Sequence, residues 1–185
     1  MRLFTGLDLP PEVAGRLADL LERLRPAARI AWSPPGNLHI TTKFIGEWPE
    51  ERLEELRAAL SAVAAASGGL AIPVRVGGLG FYPNPRSPRV FWCGVEAPGL
   101  AELAAQTDAA TARLGVKSEK RAYSPHLTLA RIREQTDLRA LHQRFEALGT
   151  VEMGRFEARR FFLYRSQLRP TGSLYTKLAE FPLSK

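Results

Sequence analysis

The octapeptide "NLHITTKF" (Asn37–Phe44) has an echo in "SPHLTLAR" (Ser124–Arg131). Each sets a histidine two residues before a threonine inside an apolar, β-branched run, and that alternation is the period of a strand, not a helix. It places His39, Thr41 and Lys43 on one face and Leu38, Ile40, Thr42 and Phe44 on the other. In the second stretch His126 and Thr128 share a face opposite Leu127 and Leu129. The apolar set is expected to pack and the polar set to face a cleft. The two motifs lie close to half the chain apart, the mark of an internal duplication with one motif in each lobe.

Working outward, Arg2–Leu9 reads as a strand, and "PPEVAGRLADLLERL" as a helix with prolines at its start and leucines at helical spacing. After the turn "SPPGN" and the His39 strand, "PEERLEELRAALSAVAAA" reads as a second helix ended by Gly68 and Gly69. A strand from about Ile72 to Gly78, the loop "YPNPRSP" and the strand "RVFWCGVE" follow. The second half repeats the scheme: helix "PGLAELAAQTDAATARLG", the His126 strand, helix "TDLRALHQRFEALG", and two closing strands, "ARRFFLYRSQL" and "SLYTKLAEFPL". Short Gly/Pro turns join several strands directly. The expectation is therefore an α+β fold of two pseudo-symmetric lobes, with mixed or antiparallel sheets flanked by helices and a cleft between them. We expect residues 1–185 to form a single domain of interleaved lobes, with nothing that requires two independent ones.

The chain has 185 residues, 45% hydrophobic and 24% charged, which excludes disordered and fibrous classes. Lys and Arg number 26 against 19 Asp and Glu, a net charge of +7 that favours an anionic partner, RNA or DNA above all. A lone cysteine, Cys93, forms no intramolecular disulfide and no cysteine-based zinc cluster, so a cytoplasmic protein is expected. No apolar run approaches the roughly 20 residues of a spanning helix, nor does the start resemble a signal peptide.

Two imidazoles across a cleft suit in-line displacement at phosphorus: one removes a proton from the attacking oxygen while the other protonates the departing one. The threonine hydroxyls beside them suit the non-bridging oxygens, where negative charge develops. A threonine follows a given histidine at this spacing about one time in 20 by chance, so its recurrence at two of three histidines is a roughly one-in-a-hundred event.

The paired "HITT" and "HLTL", the phrase "YSPHLTLAR", the opening "RLFTGLDLP" and the terminal "LYRSQLRPTGSLYTKLAEFPL" together resemble the 2H phosphoesterase superfamily. Within it they are similar to the bacterial and archaeal RNA 2',3'-cyclic phosphodiesterases, also called 2'-5' RNA ligases. The resemblance covers essentially the whole chain. It implies metal-independent opening of a 2',3'-cyclic phosphate at an RNA end to a 2'-phosphate, with His39 as general acid and His126 as general base. It also implies reversal as 2'-5' ligation, without a nucleotide cofactor. The family pattern puts an aliphatic residue where Thr42 stands, a departure that bears on packing.

Arg131 is a candidate bidentate phosphate donor, although strict alternation puts it opposite His126. Lys43 is a second phosphate-binding candidate. Tyr123 and Phe81, with Tyr82 and Trp32, are candidates for stacking on a terminal base. Arg159, Arg160, Arg165 and Arg169 are candidates for an RNA track, and His142 reads as a surface or packing residue on its helix. No HExxH is present and neither motif holds a carboxylate, so no metal is expected. The expected partner is RNA ending in a 2',3'-cyclic phosphate, bound by a monomer. The alternatives are a non-catalytic basic RNA-binding module, or an esterase for small cyclic nucleotides or ADP-ribose cyclic phosphate.

Overall fold

The computed structural model describes residues 1–133, 136–170 and 172–183. Thr171, within the closing phrase quoted above, lies outside them. In chain order the elements are β1 (Arg2–Leu7), α1 (Pro11–Leu24), β2 (Ala31–Trp32), β3 (Ile40–Glu47), α2 (Leu53–Ala66), β4 (Ile72–Tyr82), β5 (Val90–Glu96), α3 (Leu100–Ala112), β6 (His126–Arg131), α4 (Arg139–Leu148), β7 (Glu152–Ala158), β8 (Arg160–Arg169) and β9 (Gly172–Pro182). The strands form two sheets, ordered β3-β1-β8-β9 and β2-β6-β5-β4-β7. Every pairing among the described residues is antiparallel.

The two sheets have matching plans. β3 lies beside β1 as β6 lies beside β5, β1 beside β8 as β5 beside β4, and β8 beside β9 as β4 beside β7. The helices cross between them. α1 follows a strand of the first sheet but lies on the second, where Arg16 donates to the Met153 carbonyl at 3.2 Å. α3 follows a strand of the second sheet but packs on β3 of the first, beside α2. One contiguous apolar cluster runs through both lobes, from Leu3 and Leu7 to Leu127 and Leu129.

Local sequence explains the helices. Pro11 opens α1 at a position where its missing N–H is no loss, and Val13, Leu17, Leu20, Leu21 and Leu24 recur at helical spacing on the buried side. Each fully buried leucine contributes about 2 kcal/mol. α2 buries Leu56, Leu60 and Val63 in the same way. The strand before the Pro-rich loop runs on to Tyr82, four residues beyond the end expected from sequence, and β7 is an element the sequence pattern did not announce.

Candidate active site

β3 begins one residue after His39 and β6 begins at His126, so both imidazoles stand at strand starts. Their rings are held alike. His39 Nδ1 lies 2.7 Å from the Asn37 carbonyl oxygen and His126 Nδ1 lies 2.9 Å from that of Ser124, each two residues back. A carbonyl oxygen only accepts, so each Nδ1 carries the proton and leaves Nε2 free for chemistry. His39 Nε2 is 2.9 Å from Thr41 Oγ1.

The surroundings of the two rings differ. His39 is half-buried in a cradle of Phe4, Tyr164 and Tyr175, with ring centroids at 4.6, 5.9 and 5.2 Å. These aromatic rings, with Phe162, form a cluster separate from the main core, on the opposite face of the first sheet. Burial pushes the His39 pKa below the ordinary 6.5; the Asn37 carbonyl and Asp8 oppose that shift, while the charges of Arg131 and His126 reinforce it. Thus the second motif acts electrostatically on the first. His126 itself is exposed.

Each motif ends in a β-bulge. In β3 the pairing with β1 passes from Gly6–Thr41 to Thr5–Lys43, skipping Thr42. In β6 the pairing with β5 passes from Trp92–Thr128 to Phe91–Ala130, skipping Leu129. An extra residue reverses the alternation beyond it. Arg131 therefore returns to the His126 and Thr128 face, exposed, with its charge felt at His39. Gly6 makes the first bulge possible, because a Cβ there would sit 2.7 Å from the Ile40 carbonyl oxygen.

The same reversal corrects the expectation for Lys43. It turns away from the cleft towards α3, where it is only 6% exposed and its ammonium donates to Asp108 at 2.5 Å and to the Lys117 carbonyl at 2.8 Å. Burial disfavours the Asp108 carboxylate, yet Lys43 and the Glu119 amide override this and hold its pKa below the usual value. Lys43 thus ties β3 to α3 and the loop after it, and is not a phosphate ligand. Phe44 takes the cleft face instead, 59% exposed and 6.3 Å from Phe4. Thr42 stays on the core side, and the family departure there has a partner: its hydroxyl meets Thr5 at 2.7 Å, both buried.

The stacking candidates also need correction. Phe81 points to the helix side of β4, packed on Phe91, His142 and Phe145 at 4.9, 4.7 and 6.2 Å. Alternation along β4 explains it: Gly80 and Tyr82 take the cleft face, so Phe81 cannot. Tyr123 is half-buried against the core and donates to the Thr41 carbonyl at 2.8 Å, tying the second motif's approach loop to the first motif. Trp32 packs edge-on to Phe91 and donates to the Ala28 carbonyl. Among the track arginines, Arg159 pairs with Glu157 and Arg160 with Glu180.

Sequence reasoning missed Phe4, Tyr164 and Tyr175 around His39, and Trp92 beside Thr128. Phe4 lies opposite Phe44 and Trp92 opposite Thr128, each two residues before a glycine (Gly6, Gly94) in the strand next to a motif. Among the described residues no three His, Cys, Asp or Glu side chains gather as a metal site, and no helix is long and apolar enough to cross a membrane.

Two sheets on a common plan, each presenting an imidazole beside a threonine, define a bilobal α+β protein with a paired-histidine site. Comparison with known proteins agrees: the model of the LigT-like phosphoesterases matches residues 7–92 and 94–175, and the chain belongs to that family. A Methanocaldococcus jannaschii protein named RNA 2',3'-cyclic phosphodiesterase is 33% identical over 181 residues, covering 98% of this chain and all of that one. A Methanothermobacter thermautotrophicus protein of the same name is 31% identical over 185 residues, 99% of each chain. A crystal structure from Thermus thermophilus superposes with a TM-score of 0.80 at 31% identity, covering 99% of this chain and 98% of that one.

Proposed function

We propose that this protein is a phosphodiesterase that opens 2',3'-cyclic phosphates at RNA ends to leave 2'-phosphates. The observation that carries the reading is the shared fixing of both imidazoles, Nδ1 on a backbone carbonyl and Nε2 turned away from it, with a threonine two residues on that in the first motif lies 2.9 Å from Nε2. His126 Nε2 takes a proton from water as the water oxygen bonds to phosphorus. His39, protonated at Nε2, donates to the 3' oxygen as its bond to phosphorus breaks. The two rings end with exchanged protonation states, which solvent resets. Thr41, Thr128 and Arg131 hold the non-bridging oxygens, Arg131 with the planar fork that suits phosphate.

An RNA 5'-hydroxyl in place of water, bonding to the phosphorus of the same cyclic phosphate as its bond to the 3' oxygen breaks, gives 2'-5' ligation, and neither reaction draws on a metal or a nucleotide. The net charge of +7 supports a polyanionic substrate. We infer a monomer that works in the cytoplasm, consistent with Cys93 as a buried thiol whose pKa burial pushes up to about 12. The test is incubation with an RNA oligonucleotide ending in a 2',3'-cyclic phosphate, in EDTA, with the product's phosphate located. A 2'-phosphate is the expected product. A 3'-phosphate would reverse the roles of the two ester oxygens, and RNA bound without turnover would make the protein a binding module.

A further inference from the structure

The cleft face of the second sheet carries more than the His126 motif. Across β4, β5 and β6 the cross-strand partners Gly80, Trp92 and Thr128 stand abreast, and two residues, about 7 Å, further along β4 and β5 stand Tyr82, Val90 and Arg131. The half-buried Trp92 lies down on the sheet. A Cβ on Gly80 would fall 2.2 Å from its ring, and one on Gly94, the partner of His126, would lie 3.4 Å from it. The indole therefore covers two glycines and turns a broad π face to the cleft beside the second motif. Tyr82 follows, 50% exposed, its hydroxyl receiving a hydrogen bond of 3.0 Å from Arg121 Nη1.

Charge gives this face a direction. Beyond the Gly94–His126 pair, at the other end, Arg75 is held between Glu96 and Glu152 at 3.0 and 2.6 Å, and Glu152 also lies 4.0 Å from Arg155, so two carboxylates balance two guanidinium groups. The cations at that end are already paired with carboxylates. At the Tyr82 end Arg121 and Arg131 meet no carboxylate in any ion pair among the described residues, and Arg86 and Arg89 stand in the adjoining loop. Flat aromatic side chains flanked by arginines are the elements of a single-strand binding track.

We propose that this row is the platform for the RNA leading to the cyclic end: Trp92 stacks on the terminal nucleoside and Tyr82 on the nucleotide before it, with the backbone running along Arg131 and Arg121. This rests on the function proposed above and deepens it, because it makes an oligonucleotide, not a cyclic mononucleotide, the substrate the protein is shaped for.

The experiment compares a ten-nucleotide RNA ending in a 2',3'-cyclic phosphate with 2',3'-cyclic AMP. Tyr82→Ala should raise KM for the RNA about five- to hundredfold, the range of one lost base stack, with kcat for the RNA and both constants for cyclic AMP unchanged. Tyr82→Phe, which keeps the ring and loses the Arg121 bond, should restore the RNA value. Trp92→Leu should raise KM for both substrates. If Tyr82→Ala weakens both equally, or neither, the platform is wrong while the activity stands. If the unmodified protein turns over neither substrate, the proposed activity falls and the platform with it.

Discussion

The two histidine motifs share a spacing, a strand start, a carbonyl anchor and a bulge, yet their surroundings are unlike. His39 is half-buried under Phe4, Tyr164 and Tyr175, while His126 is exposed and has a glycine, Gly94, opposite it. Beyond the bulges the same offsets hold different chemistry: Thr42 against Leu129, Lys43 against Ala130, Phe44 against Arg131. A duplicated scaffold has thus kept the atoms that set the imidazoles and changed what presses on them. One half is dry and aromatic; the other is open and cationic. For an in-line displacement, which needs a proton acceptor on one side of phosphorus and a donor on the other, unequal halves suit unequal tasks.

The harshest way to test the pairing is to remove each ring. His39→Ala and His126→Ala should each lower kcat on a cyclic-phosphate RNA by about 10²–10⁴-fold, the usual contribution of a positioned acid or base. Folding, followed by circular dichroism, should be intact in both. The exposed His126 should be lost without effect on the melting temperature, whereas His39→Ala empties part of an aromatic cradle and should lower it. Near-normal turnover in either variant would end the two-histidine mechanism.

Next comes the Lys43 and Ala130 contrast. Lys43→Met leaves the half-buried Asp108 beside no cation and should cost about 1–3 kcal/mol, less than a fully buried pair. Chemical denaturation should show the loss, and the activity of the folded protein should survive. A variant of full stability that had lost RNA turnover would instead return Lys43 to the phosphate.

How much of this was legible in the chain divides at the bulges. Period-two alternation sufficed to read His39, Thr41, His126 and Thr128 as facing together, since all four precede the skipped residues. It failed for Lys43, and placed Arg131 on the wrong face, because a bulge is set by the partner strand and by the close approach at Gly6, not by the bulged residues' own type. Phe81 was misassigned because β4 runs through the glycines to Tyr82, which fixes the parity at its end. β7, "EMGRFEA", was missed because it is an edge strand whose outer positions are charged, so the alternation is faint.

The Thr42 and Leu129 contrast has a smaller effect. Thr42→Val strands the buried Thr5 hydroxyl and should cost about 1–3 kcal/mol, the penalty for an unpaired buried polar group. Removing both hydroxyls in Thr5→Val with Thr42→Val should recover most of it. A double variant as unstable as the sum of the singles would mean that the loss is one of packing at the bulge and not of the hydrogen bond.

The subtlest difference lies in protons. Burial lowers the His39 pKa in the folded protein, while the unfolded chain keeps a value near 6.5. As pH falls below 6.5 the unfolded state takes up a proton that the folded state still refuses, so stability is full above that pH and declines until the folded pKa is passed. His39→Gln should flatten this decline in unfolding free energy, before the carboxylates titrate; an unchanged slope would place the ring in water. The consequence for catalysis runs the other way. In the acid role proposed for it, His39 with its lowered pKa is mostly neutral in the free protein near neutral pH, and Arg131 and His126 make its charging harder still. The phosphate anion of the substrate, arriving beside the ring, is the charge that favours imidazolium there. The pKa that His39 contributes to the kcat/KM profile should therefore rise in the kcat profile, as the proposed acid role requires of a ring that must be charged when the cleft is occupied.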